Sequence, residues 1–72
     1  MKKYIVVSGN YDGFNPDYNM KSEIKNGERK EIVGFNNVKR YIGHKMYYNK
    51  HGQNWECVCY DCKRFWIAQE EN

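Results

Sequence analysis

The side chains best equipped for chemistry are crowded into the last third of this sequence: His44, His51, Cys57, Cys59 and Cys62, which include every histidine and every cysteine. Cys59-Tyr60-Asp61-Cys62 has C-x-x-C spacing, in which a tight turn directs two thiolates at one cation. Zinc in a structural site takes four nitrogen or sulfur ligands in a tetrahedron, so two further donors are needed. His44, Cys57 and His51 are the candidates, and His51 would have to fold back from a loop. The expected set is therefore His44, Cys57, Cys59 and Cys62 around one structural zinc ion. The plainer alternative is that the cysteines pack as small hydrophobes and the histidines sit on the surface. An odd number of cysteines cannot pair completely within the chain, which points to reduced thiols and a cytoplasmic setting.

Positioning these donors is the task of the elements around them. Tyr47-Tyr48 and Trp55-Glu56-Cys57 flank Asn49-Lys50-His51-Gly52-Gln53-Asn54, a pattern that predicts a hairpin. With Lys50 to Gln53 as the loop, Asn49 faces Asn54, Tyr48 faces Trp55, Met46 faces Cys57 and His44 faces Cys59. Strand side chains alternate, so this register gathers His44, Cys57 and Cys59 on one side. The rival reading makes residues 38–48 an amphipathic helix with Val38, Tyr41, Ile42 and Lys45 in its stripe. The strand is preferred because Gly43 weakens a helix and tyrosine is common in sheets.

The rest of the chain reads as short β-prone runs punctuated by Gly and Asn. Residues 3–8, with Ile5, Val6 and Val7, form a first strand. Its resemblance to a secretory leader is superficial, because the apolar core is only four or five residues long and Asn10 and Asp12 follow. Residues 9–19 are a long loop packed back by Tyr11, Phe14 and Tyr18. Asn26-Gly27 is the preferred centre of a type I′ hairpin, with Lys25 facing Glu28 and Glu23 facing Lys30 as opposite charges. Residues 36–40 are a connection or helical turn, residues 65–68 a closing strand, and residues 69–72 a polar tail.

Together these predict one small domain spanning residues 1–72. Its expected fold is mainly β: five or six short antiparallel strands in a twisted sheet or partly open barrel, with a zinc clamp. A chain of 72 residues has a thin core, and seven Tyr, three Phe and two Trp must supply much of it. No apolar run approaches the roughly 20 residues that span a bilayer.

Gly43-His44-Lys45, followed by Trp55-Glu56-Cys57 and Cys59-x-x-Cys62, resembles small phage-encoded zinc-knuckle proteins with a Gly-His element before a C-x-x-C pair. The likeness covers residues 41–64. In that pattern a Cys precedes the Gly-His, where this chain has Tyr41; in typical zinc knuckles a Gly follows the second Cys, where this chain has Lys63 and Arg64. The tyrosine-rich approach to Trp55-x-Cys57 is also similar to FLYWCH-type zinc fingers, although their terminal His-x-His is missing. The phage likeness implies a protein that binds and modulates a host protein.

Charge and aromatics offer two binding modes. Lys39, Arg40, Lys45, Lys50, Lys63 and Arg64 oppose only Glu56 and Asp61 in that region, with five aromatic rings interleaved. Such a basic aromatic stripe suits a nucleic-acid backbone and its bases. Tyr, Trp and Arg are also the residues enriched at protein-binding hot spots, which nominates Tyr47, Tyr48, Arg64 and Trp66 as partner contacts. No matched carboxylate pair or glycine-rich phosphate loop is present, and so short a chain leaves little wall for a substrate pocket. The expectation is a non-catalytic binding protein that inhibits or modulates a host protein, with a zinc-knuckle nucleic-acid module as the alternative.

Overall fold

A computed structural model describes residues 1–71. Its elements run β1 (Lys3–Asn10), α1 (Met20–Asn26), β2 (Glu28–Val33), α2 (Phe35–Ile42), β3 (Tyr47–Asn49), β4 (Asn54–Cys59) and β5 (Arg64–Glu71). The five strands make one antiparallel sheet in the order β2-β1-β5-β4-β3, mainly β as expected and open rather than closed into a barrel. The residues expected to form a polar tail are instead strand: Gln69, Glu70 and Glu71 pair with Ile5, Tyr4 and Lys3. Asn72 lies outside the described residues.

Alternation along β1 shows how the sheet is covered. Tyr4, Val6 and Ser8 are buried, while Ile5 and Val7 between them are only half-buried. Tyr4 and Val6 join Trp66 and Ala68 of β5 and Cys57 of β4 beneath Val38 and Ile42 of α2. These two α2 residues stand four apart, on one helical face. Gly43 ends the helix in the left-handed conformation (φ 74°), its N–H donating to the Lys39 carbonyl at 2.9 Å. Both readings of this stretch are thus corrected: the helix covers Phe35–Ile42 rather than residues 38–48, Gly43 terminates it, and the chain is extended again only from Tyr47.

The opposite face carries Phe65, completely buried beside Gly9 and α1. The expected Asn26-Gly27 hairpin is replaced by this helix. Asn19 caps it, its Oδ1 accepting from the Ser22 N–H at 3.1 Å, and Met20 and Ile24 are its half-buried pair. Gly27 has φ −69°, which any residue adopts. Glycine is needed there because a Cβ would lie 2.6 Å from the Ser8 carbonyl oxygen. Strand β2 then pairs with β1, not with the segment before Gly27. In the loop before α1, Tyr11 packs on Tyr18 (5.4 Å between centroids) and Tyr60 (5.5 Å), whereas Phe14 is left 92% exposed.

Candidate metal centre and binding surfaces

Three elements converge at one corner. Cys59 ends β4, Cys62 follows in the β4–β5 turn, and His44 arrives from the connection after α2. The hairpin register holds as far as it extends, with Tyr48 opposite Trp55 and Asn49 opposite Asn54. Strand β3 begins only at Tyr47, so His44 is not a strand residue facing Cys59. It reaches the site because Gly43 reverses the chain at the helix end. The ring of His44 lies 5.4 Å from that of Trp66, and its Nε2 is 3.5 Å from Cys62 Sγ.

The donor atoms of His44, Cys59 and Cys62 lie within 4.8 Å of one another, close enough to share a metal ion. Cys57 is not part of this group. It shares a sheet face with Cys59 but lies under α2, 4% exposed, and burial pushes its thiol pKa upward. The expected four-residue ligand set is therefore reduced to three. His51 sits in the β3–β4 turn, its N–H donating to Asn49 Oδ1 at 3.0 Å.

The turn itself is built for paired sulfurs. The Cys62 N–H donates to Cys59 Sγ at 3.1 Å, and the Lys63 N–H donates to the Tyr60 carbonyl at 3.3 Å. Lys63 adopts φ 56°, the left-handed conformation in which glycine is cheapest. Cys59 and Cys62 are joined as a disulfide. That bond departs from the reduced thiols anticipated from the odd cysteine number.

Beside this corner, Phe35, Lys39, His44, Lys45, Met46 and Trp55 line a groove of about 270 Å³. Phe35 and Trp55 pack with their rings 4.8 Å apart. Two of the six expected phosphate-contacting cations, Lys39 and Lys45, share this groove. Lys63 lies in the β4–β5 turn and Arg64 begins β5, while Lys50 occupies the turn at the opposite end of β4 and Arg40 an exposed position on α2. Met46 was expected on the same side as His44 and Trp55, whereas Phe35 was not anticipated here, since only the helix brings it to the groove.

The four residues nominated as partner contacts do not form one surface. Trp66 is buried, 9% exposed, and belongs to the core rather than to an exposed anchor. Arg64 lies over its ring at 5.9 Å and donates from Nη2 to Ser8 Oγ at 3.3 Å. Tyr47 and Tyr48 are both exposed, but as neighbours on a strand they point to opposite faces. Tyr48 stacks toward Trp55 at 5.2 Å on the α2 side. Tyr47 belongs to the other face, with Ile5, Val7, Ile67 and Val58.

Helix α1 covers the Gly9–Phe65 end of that second face. Among the described residues, no helix is long and apolar enough to cross a membrane. Comparison with known proteins adds no relative. No family model, curated protein or solved structure matches the chain.

Proposed function

We propose that this protein is a non-catalytic, cytoplasmic binding module that docks onto another protein through the open face of its sheet. The observation that carries this reading is the row of half-buried Ile5, Val7 and Ile67, bordered by exposed Val33, Val58 and Tyr47. Helix α1 covers only the Gly9–Phe65 end. Exposed apolar residues rimmed by polar ones are the character of a protein-interaction site. The sheet edges are poorer candidates. Strand β2 offers Glu28-Arg29-Lys30-Glu31 along one edge, and β3 is three residues long. The open face carries Lys3 and Arg29 against Glu31, Glu56 and Glu71, a balance suited to a protein rather than to phosphates. The resemblance of residues 41–64 to phage zinc-knuckle proteins agrees with a host protein as the target, modulated or inhibited by docking. In this reading one zinc ion, held by His44, Cys59 and Cys62, clamps the carboxy-terminal hairpins.

A second reading rests on the groove. Lys39 and Lys45 beside Trp55 and Phe35 are a cation and ring arrangement fitted to single-stranded nucleic acid.

Affinity capture from host extract decides between them. The wild-type protein is expected to retain one protein stoichiometrically at both low and high salt. A Tyr47→Ser, Val58→Lys double variant, changed at positions 64% and 37% exposed, should fold normally and lose that partner. Capture of no stoichiometric protein removes the first reading. Retention on immobilised RNA or DNA that falls steeply with salt would establish the second.

A further inference from the structure

The two sulfurs that would hold the zinc ion are also the two that form the disulfide. We infer that this corner is a redox-gated metal site: as a dithiol it takes one zinc ion on His44, Cys59 and Cys62, and as a disulfide it takes none. The inference rests on the zinc reading above and adds the condition under which the ion binds.

The geometry needs little rearrangement between the two states. Tetrahedral zinc with bonds of roughly 2.3 Å to sulfur and roughly 2.0 Å to nitrogen sets its ligands roughly 3.8 Å apart for two sulfurs and roughly 3.5 Å for sulfur and nitrogen. His44 Nε2 already stands 3.5 Å from Cys62 Sγ, one edge of such a tetrahedron. The cysteine Cα atoms are 5.2 Å apart. The sulfurs part from a bonding distance of roughly 2.0 Å to roughly 3.8 Å by rotation about their side chains. The turn is held by the Lys63 N–H bond to Tyr60, which involves no sulfur. The Cys62 N–H, 3.1 Å from Cys59 Sγ, helps to hold the turn closed around that sulfur. Three protein ligands leave the fourth zinc position to water.

Access and selectivity point the same way. Cys62 and His44 are exposed and Cys59 half-buried, so small reductants and oxidants reach the pair. Cys57 is enclosed in the core and outside the donor group, which leaves Cys59 and Cys62 with one another as partners.

The chemistry balances as a two-electron exchange. A dithiol reductant gives two electrons to the Cys59–Cys62 bond, closes to its own disulfide and leaves a proton on each protein sulfur. Zinc binding then displaces both protons, because the thiolate is the ligand. In reverse, hydrogen peroxide takes two electrons from the zinc-bound thiolates. It accepts two protons to become two waters, the S–S bond forms, and the zinc ion leaves.

The test uses the full chain, once reduced with a dithiol and once oxidised with hydrogen peroxide, each titrated with zinc chloride under native mass spectrometry. The reduced protein should bind one zinc ion per chain, released by EDTA. The oxidised protein should be lighter by two hydrogen atoms and bind no zinc ion at the concentration that saturates the reduced protein. A Cys57→Ala variant should repeat both results. Equal zinc binding by the two forms would overturn the gate and leave the zinc site standing. Absence of zinc from both forms would remove the site itself, and with it the gate. Failure of Cys57→Ala to lose the two hydrogens on oxidation would assign the disulfide to the wrong pair and also overturn the gate.

Discussion

His44 Nε2 lies 3.5 Å from Cys62 Sγ although eighteen residues separate them in the chain. Two local features produce this approach. Gly43 in its left-handed conformation turns the chain out of α2, and the C-x-x-C turn lifts Cys62 off the end of β4. The imidazole also leans on Trp66, whose burial fixes it as a platform. Histidine and cysteine are thus held on a rigid core at their backs and presented to solvent at their donor atoms.

His44→Ala should therefore weaken zinc binding by the reduced protein at least roughly tenfold while leaving the fold in place. Cys57→Ala should do the opposite, lowering stability by roughly 1 kcal/mol through lost core packing without changing zinc affinity. His51→Ala should change neither. Zinc titration with a competing chelator, together with urea denaturation, measures both quantities. Strong zinc loss in Cys57→Ala would show the three-ligand assignment to be wrong.

Gly27→Ala tests why a glycine stands after α1. Its backbone angles suit alanine, yet the added methyl would meet the Ser8 oxygen at 2.6 Å and the Glu23 oxygen at 2.9 Å. Both are main-chain atoms of packed elements and cannot move cheaply. The expected loss is about 1–3 kcal/mol in urea unfolding. A neutral or stabilising result, as for an unhindered Gly→Ala change, would refute the close packing of α1 on β1.

The pattern of local signals explains what could be read from the residues. The Tyr48–Trp55 register was legible because loop length and aromatic pairing fix it within one hairpin. Helix α1 was obscured by Asn26-Gly27, a strong hairpin signal in isolation. The competing signals, the Asn19 cap and the four-residue step from Met20 to Ile24, acquire weight only when β1 supplies a surface to bury them. Gly43 was read as a defect within an element, whereas it marks the end of one. The nearness of His44 to the C-x-x-C pair was anticipated, but through a strand pairing that does not occur. The open sheet face follows from placing β5 between β1 and β4, a non-local pairing that no short window of sequence contains.

Lys63 offers a stabilising substitution. A side chain in the left-handed region costs roughly 1–2 kcal/mol, and Lys63 bears that cost at φ 56°. Lys63→Gly should raise stability by about 1 kcal/mol, a Tm increase of roughly 4–8 °C for a domain of this size. Lys63→Val should lower it, since a β-branched residue tolerates this conformation least. Differential scanning calorimetry of the two variants gives the comparison. A Tm order of Val above Gly would contradict the turn geometry.

Tyr18 carries the pH dependence that is simplest to isolate. Its hydroxyl donates to the Asn10 carbonyl at 2.6 Å, joining the start of the loop to its end. Burial raises its pKa above 10.0, and the nearby Glu23, Tyr11 and Asp12 add to the rise. The folded state therefore holds the phenolic proton more tightly than the unfolded chain does. The resulting stabilisation is complete below the ordinary tyrosine range and is lost as pH rises through the folded pKa. Tyr18→Phe removes both the donor and the titration. At neutral pH it should cost about 1 kcal/mol, the worth of one such hydrogen bond. Above pH 10.0 the gap between wild type and variant should narrow, because the ionised phenolate can no longer donate to Asn10. Urea midpoints of the two proteins across the alkaline range provide the measurement. A gap that stays constant there would mean that the loop is not held by this hydroxyl.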